Sequence, residues 1–185
     1  MRRSIVAALL LVAMTGCGWH SGLPTYGTVP EFSLTADSGK AFGSANLEGR
    51  VWVANFFFTT CNGPCPRMSA QFNKLQGMIN GSPEVRLVSI SIDPKRDTPE
   101  VVAAYAKRWK ADPVRWRFLT GEPAQIRTLS WDTFHLSEVG GALQHSTKFA
   151  LVDRKLQIRG YYDSLDAGGL AELAADIAKL EQEVF

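Results

Sequence analysis

The 185-residue sequence has few cysteines, little charge imbalance and no long hydrophobic run. Its three cysteines are too few for a disulfide-stabilised scaffold or for a zinc site with four cysteine ligands. The 20 basic and 18 acidic residues create no strong field of one sign, so nothing favours nucleic acid as a partner. Residues 5–14 form an apolar run about half as long as a membrane-spanning helix requires.

The N-terminus has the features of an export signal. Arg2 and Arg3 precede the short apolar run, which ends in Met14-Thr15-Gly16-Cys17. This ending resembles the lipobox of bacterial lipoproteins, in which the cysteine is acylated and becomes the first residue of the mature chain. We therefore expect residues 1–16 to be a lipoprotein signal peptide and Cys17 to be lipidated. Ordinary secretion with an unmodified Cys17 is the alternative.

The rest of the chain is predicted to be a tether followed by one domain. Residues 17–30 are rich in Gly and Pro and lack periodicity, which is typical of a flexible tether. Residues 31–185 contain no repeat and no second linker. Strands are predicted at 32–34, 41–42, 51–58, 85–92, 116–119, 147–153 and 156–161, and helices at 66–80, 98–109, 123–134 and 170–184. This order predicts an α/β fold, a thioredoxin-like three-layer sandwich with a mixed sheet and a terminal β-hairpin.

Two cysteines lie between a predicted buried strand and a predicted helix, where open α/β sheets bind ligands. Cys61 and Cys65 are four residues apart, so both thiols can face one side of a helical turn. The helix N-terminus and Arg67 are expected to favour thiolate over thiol. Asn62 and Gly63 between the thiols suit an exposed site. A structural disulfide would close a very short loop and stabilise little, but it and a pair of inert buried thiols remain alternatives.

The chemistry open to these thiols is limited by the residues around them. Haem attachment requires a histidine directly after the second cysteine, where this chain has Pro66. Tetrahedral zinc would need two further good ligands, and the chain offers only histidines and carboxylates. Two thiolates with one histidine favour copper, either Cu(I) or, in a flatter site, Cu(II).

Three segments share the pattern of one known family. They are residues 58–66 with the spacing Cys-x₃-Cys-Pro, residues 91–99 with Asp-Pro-Lys-Arg-Asp-Thr-Pro, and His145-Ser146-Thr147 ahead of a strand. Over residues 30–179 the chain resembles the Sco/SenC proteins, which are thioredoxin-fold copper-binding proteins linked to cytochrome c oxidase assembly. The resemblance implies that Cys61, Cys65 and His145 bind copper.

The resemblance also implies a function, a set of partners and a location. The chain would be a membrane-tethered copper metallochaperone that assists assembly of the oxidase copper site. Alternatively, Cys61 and Cys65 would be the redox pair of a thiol-disulfide reductase that acts on envelope proteins. The partners would be an oxidase subunit or another envelope copper or thiol protein, with a monomer held by its lipid on the periplasmic or extracytoplasmic side.

The sequence departs from the family pattern at two positions. Gln144 replaces an aspartate that often precedes the family histidine, which bears on copper delivery more than on copper binding. Asn62 replaces a proline that often follows the first cysteine, and Gly63-Pro64-Cys65 is similar to the end of the thioredoxin motif, which favours redox work.

Four other residues carry expectations of their own. Asp93 and Asp97 are expected to organise a turn and a helix cap rather than to bind metal. Phe57 and Trp131 are candidates for a docking surface around the cysteine loop.

Overall fold

The computed structural model describes residues 21–136 and 146–183. Its strands are β1 (Gly27–Thr28), β2 (Ser33–Ala36), β3 (Ala41–Gly43), β4 (Trp52–Phe57), β5 (Arg86–Ser91), β6 (Trp116–Thr120), β7 (Lys148–Val152) and β8 (Gln157–Asp163). Its α-helices are α1 (Pro64–Met78), α2 (Pro99–Arg108), α3 (Pro123–Arg127) and α4 (Gly169–Gln182). Within the described ranges, no helix combines the length and hydrophobicity needed to cross a bilayer.

All of these strands form one mixed sheet in the order β1-β8-β7-β4-β5-β6-β2-β3. The central strands β4, β5 and β6 are parallel, and the antiparallel hairpin of β7 and β8 lies beside β4. The parallel strands end together at Phe57, Ser91 and Thr120, and we call this end of the strands the carboxyl end of the sheet. The opposite end, where these strands begin and which includes Arg50 and Arg115, is called the amino end.

Helical segments cover both faces of the sheet. On one face, Tyr105 of α2 stacks on Phe57 with 5.1 Å between ring centroids, and its hydroxyl lies 3.0 Å from that of Ser69 in α1. On the other face, Phe134 packs edge-on against Phe56 at 5.6 Å. Because successive residues of a strand point to opposite faces, Phe56 and Phe57 separate the two layers. With α4 packed beside α1, this is the predicted three-layer α/β sandwich.

The helix predicted over residues 123–134 is divided into two segments. Regular α3 ends at Arg127 and is followed by a π-helical turn, Thr128–Thr133. The amide of Phe134 donates to the carbonyl of Leu129 at 2.8 Å, five residues back. This wider turn carries the Phe134 ring into the core and leaves Trp131 44% exposed.

Residues 21–30, which we expected in the flexible tether, are part of the domain instead. Strand β1 pairs with β8 within this segment. The Arg159 side chain, 8% exposed, is paired with Asp153 at 2.8 Å and with Glu183 at 3.1 Å. It also donates to the carbonyl oxygens of Leu23 at 2.8 Å and Pro24 at 3.0 Å. A buried guanidinium requires acceptors for all of its donors, and the N-terminal segment supplies those that Asp153 and Glu183 do not.

The Arg159 cluster predicts a large loss of stability on removal of its cation. Arg159→Met should lower the free energy of unfolding by about 3 kcal/mol, because two buried carboxylates lose their partner. Urea titration would measure the change. Arg50→Met is the matched control, since Arg50 pairs with Glu84 at the surface and should cost less than about 1 kcal/mol. Equal losses in the two variants would contradict the assignment.

Candidate metal centre at the cysteine loop

The cysteine loop connects β4 to α1 at the carboxyl end of the sheet. The amide of Cys61 donates to the carbonyl of Phe58 at 3.3 Å, which closes a tight turn after the strand. Helix α1 begins at Pro64, two residues earlier than predicted, so Cys65 lies in its first turn. Proline suits this first position because the N–H that it lacks would have no partner within the helix.

Both thiols are buried, and they contact each other. Cys61 is 5% and Cys65 1% exposed, and the sulfurs are not joined in a disulfide. Burial raises the pKa of Cys65 to about 12, and the hydrogen bond with Cys61 adds to this, while a backbone hydrogen bond from Phe58 opposes it. The expectation of a thiolate is therefore wrong for Cys65. Desolvation outweighs the helix N-terminus, and Arg67 is exposed.

The donor set suits a soft metal ion such as Cu(I). Cys61, in the loop before α1, and Cys65, in its first turn, hold their sulfurs close enough to share a hydrogen bond. Asn62 and Gly63, which lie between the two buried cysteines, are exposed. A metal ion bound here would replace the thiol protons. Its positive charge would offset the cost of burying the negative charge of the thiolates.

The third predicted ligand, His145, lies outside the described residues, as does Cys17. Within residues 21–136 and 146–183, no group of three or more His, Cys, Asp or Glu side chains is arranged to hold a metal ion. The described chain resumes at Ser146, two residues before β7 begins at Lys148. Because β7 is antiparallel to β4, β7 begins at the carboxyl end of the sheet, where the cysteine loop lies.

A buried carboxylate fixes the start of the cysteine loop. Asp97 is fully buried, and it accepts hydrogen bonds from the Thr59 amide at 3.0 Å, from the Thr59 hydroxyl, and from the Ser91 hydroxyl at 2.5 Å. Ser91 ends β5, and Thr59 lies two residues before Cys61. The carboxylate thus connects the cysteine loop to the neighbouring strand.

The expected roles of the two aspartates are met in only one case. Asp93 organises a turn, since its carbonyl accepts from the amides of Arg96 at 3.0 Å and Asp97 at 2.9 Å. Asp97 does not cap α2, because its side-chain partners are Thr59 and Ser91. Its spacing before Pro99 marked a helix start, but nothing in the sequence pointed to a partner 38 residues away.

The two candidate docking residues also differ in outcome. Trp131 is 44% exposed, as a docking role would require. Phe57 is buried between Tyr105 and Phe118, so that expectation is wrong. Phe57 faces the helical layer because β4 is covered on both sides.

Comparison with known proteins assigns the family. The family model described as SCO1/SenC matches residues 22–182. The chain belongs to the SCO1/SenC family. The match begins close to Ser21, which agrees with the packing of the N-terminal segment onto the domain.

Solved structures of relatives share the fold of this SCO1/SenC protein. A SCO1/SenC family lipoprotein from Bacillus anthracis is 33% identical, with a TM-score of 0.76 over 83% of this chain and 95% of that one. BsSco, described as a Sco family cytochrome c oxidase assembly protein with a disulfide switch, is 26% identical, with a TM-score of 0.77 over 87% and 98%. Arabidopsis thaliana ScoI with copper bound is 25% identical, with a TM-score of 0.68 over 83% and 98%.

Removal of the Asp97 carboxylate should loosen the cysteine loop. Asp97→Ala leaves three donors, the buried Ser91 hydroxyl and two from half-buried Thr59, without an acceptor and should lower the free energy of unfolding by about 3 kcal/mol. Hydrogen exchange at the Thr59 amide should accelerate in parallel. Asp93→Ala is the control, since its carboxylate pairs with the exposed Arg96 and should cost about 1 kcal/mol or less. An unchanged rate of hydrogen exchange at the Thr59 amide in Asp97→Ala would show that Asp97 does not hold the start of the cysteine loop.

Proposed function

We propose that this chain is a membrane-tethered copper metallochaperone that assists assembly of the cytochrome c oxidase copper site. Copper would be held by Cys61, Cys65 and His145 and passed to the client. The observation that carries the proposal is the pair of buried thiols in hydrogen-bond contact, Cys61 in the loop before α1 and Cys65 in its first turn. Copper bound to a relative of the same fold supports the choice of metal.

Each residue has a defined task in this proposal. The two thiolates supply soft ligands, and the imidazole completes a three-coordinate site. Three ligands leave the ion open to attack by ligands of a partner, so copper can move by exchange without full dissociation. Asp97 keeps the loop in one conformation through Thr59, which limits the ordering that binding would otherwise require.

A copper titration tests the ligand set. Anaerobic titration of the reduced protein with Cu(I) against a competing chelator should give tight one-to-one binding. Cys61→Ser and Cys65→Ser should abolish it, because each removes a thiolate. His145→Ala should weaken it roughly tenfold or more, since loss of a ligand costs at least as much as loss of an outer-shell partner. His135→Asn is the matched control and should keep the wild-type affinity.

The same proteins should be assayed for reduction of a disulfide substrate without metal. Unaltered copper affinity in His145→Ala, together with rapid disulfide reduction, would reject the metallochaperone in favour of the reductase. Retention of both activities in either serine variant would show that the site is elsewhere.

The second candidate function, a thiol-disulfide reductase, rests on the contact between the two thiols. Cys61 as thiolate would attack a partner disulfide and form a mixed disulfide, releasing one partner thiolate. Cys65 would then attack the sulfur of Cys61, which releases the second partner thiol and leaves a Cys61–Cys65 disulfide. The disulfide switch named for BsSco is consistent with such a pair. The raised pKa of Cys65 disfavours it as the resolving nucleophile, so we place copper handling first.

The proposed envelope location depends on Cys17. Cys17→Ser should remove the lipid acceptor, so the protein should be recovered soluble or unprocessed rather than in the membrane fraction. Cell fractionation with mass spectrometry of the N-terminus would measure this. Cys61→Ser is the control and should remain membrane-bound. Continued membrane recovery of a processed Cys17→Ser protein would argue against acylation.

A further inference from the structure

The point at which the chain leaves the domain is fixed. The amide of Ser21 donates to the Glu183 carboxylate at 3.3 Å, and its hydroxyl accepts from Arg159 at 3.1 Å. Glu183 directly follows α4, and Arg159 lies near the start of β8. Both are buried, so Ser21 is attached to an ordered cluster.

This cluster and the cysteine loop lie at opposite ends of the sheet. In the strand register, Val152 of β7 is opposite both Trp52 of β4 and Ile158 of β8. The residue after Ile158 is Arg159, so the cluster is level with the beginning of β4. From Trp52 to Phe57, β4 advances about 17 Å at roughly 3.3 Å per residue, and the cysteine loop lies beyond it.

The chain between the proposed lipid and this cluster is short. Three residues lie between Cys17 and Ser21, and the four Cα–Cα steps that join the two positions span at most about 14 Å in any conformation. This reach is less than the distance along the sheet from the Arg159 cluster to the cysteine loop. A domain standing on its carboxyl end would hold Ser21 farther from the bilayer than this reach, so that orientation is excluded. The reach alone still permits a domain that lies on its side, and the side chains at the amino end decide between the remaining orientations.

We infer that the amino end of the sheet lies against the bilayer and that the cysteine loop faces away from it. The inference rests on the proposed lipid anchor at Cys17. It assigns a lipid surface as the occupant of the amino end, and it requires a copper acceptor to be presented about 17 Å or more above the bilayer. The client site would then lie in a part of the partner that projects from the membrane.

The side chains at the amino end suit a phospholipid interface. Met78, at the end of α1, is 47% exposed, and Val114, ahead of β6, is 67% exposed. Arg115 joins these two segments by donating to the carbonyl of Ile79 at 2.7 Å. Apolar side chains with neighbouring cations match the boundary between acyl chains and phosphate groups.

Several basic side chains lie at the same end. The pKa of Arg86 is lowered, first by burial and then by the nearby cation of Arg50, with a smaller contribution from Arg115. Glu84 and Asp112 pair with two of these arginines. Lys155, on the turn between β7 and β8, is exposed. Cations near an anionic leaflet are attracted to its negative surface potential.

Lysine footprinting on vesicles tests the orientation. The full chain, acylated and reconstituted into phosphatidylcholine–phosphatidylglycerol vesicles, would be treated with an amine-reactive reagent and compared with Cys17→Ser protein in solution. Lys155 at the amino end should react several-fold more slowly on vesicles. Lys95, exposed at the carboxyl end, is the matched control and should react equally in both samples. Protection of Lys95, or equal rates at Lys155, would overturn the orientation.

A variant with a longer tether distinguishes the limit set by tether length from attraction of the domain to the lipid surface. Insertion of about 20 Gly and Ser residues between Gly18 and Trp19 adds about 25 Å of mean reach and should return the reactivity of Lys155 towards its value in solution. Unchanged protection would overturn the argument from tether length. A wild-type chain that does not float with vesicles would overturn the lipid anchor and this orientation together, while the copper titration would stand independently of both.

Discussion

The cysteine loop depends on a carboxylate that has no contact with solvent. Burial of the Asp97 charge would be costly without partners, and the structure meets that cost with three donors from two segments. Those donors are in place only when β5 ends beside the loop and α2 begins two residues after Asp97. The parallel strands β4 and β5, the loop and the start of α2 are therefore fixed relative to one another by one side chain.

The same burial determines the chemistry of the thiols. In a site of low polarity an isolated thiolate is disfavoured, which is why the pKa of Cys65 is raised. A soft cation removes this penalty because it neutralises the charge that desolvation opposes. A disulfide of a partner protein is uncharged, so it does not stabilise the buried thiolate before the new sulfur–sulfur bond forms. Burial therefore favours a site that takes up a metal ion over one that attacks disulfides rapidly.

Much of the fold could be predicted from local patterns. The apolar run that became β4 and the periodicity of α1, α2 and α4 are strong signals because they reflect burial of a face. The position of the cysteine pair between a strand and a helix followed from the same patterns. The π-helical turn after α3 was missed because its period differs from that of an α-helix while its apolar content is similar.

The features that escaped prediction are those that depend on distant partners. Nothing local in Leu23 or Pro24 indicates that their carbonyl oxygens bind Arg159, more than 130 residues away. Likewise, the sequence around Asp97 reads as a helix start and does not identify Thr59. The direction of the pKa shift of Cys65 was missed because burial of this thiol is a property of the whole fold. The sequence shows the short-range effect of the helix terminus on the pKa but not the larger effect of desolvation.

The Arg159 cluster changes what a tether can do. A chain free from Cys17 to Pro30 would span about 45 Å when extended and would let the domain take any orientation on a surface. Fixing Ser21, Leu23 and Pro24 to the amino end shortens this to about 14 Å. A domain anchored at Cys17, as proposed, could then not stand on its carboxyl end, because the chain would be too short. A buried ion cluster at the opposite end of the sheet from the cysteines would thus limit where their metal could be offered to a partner.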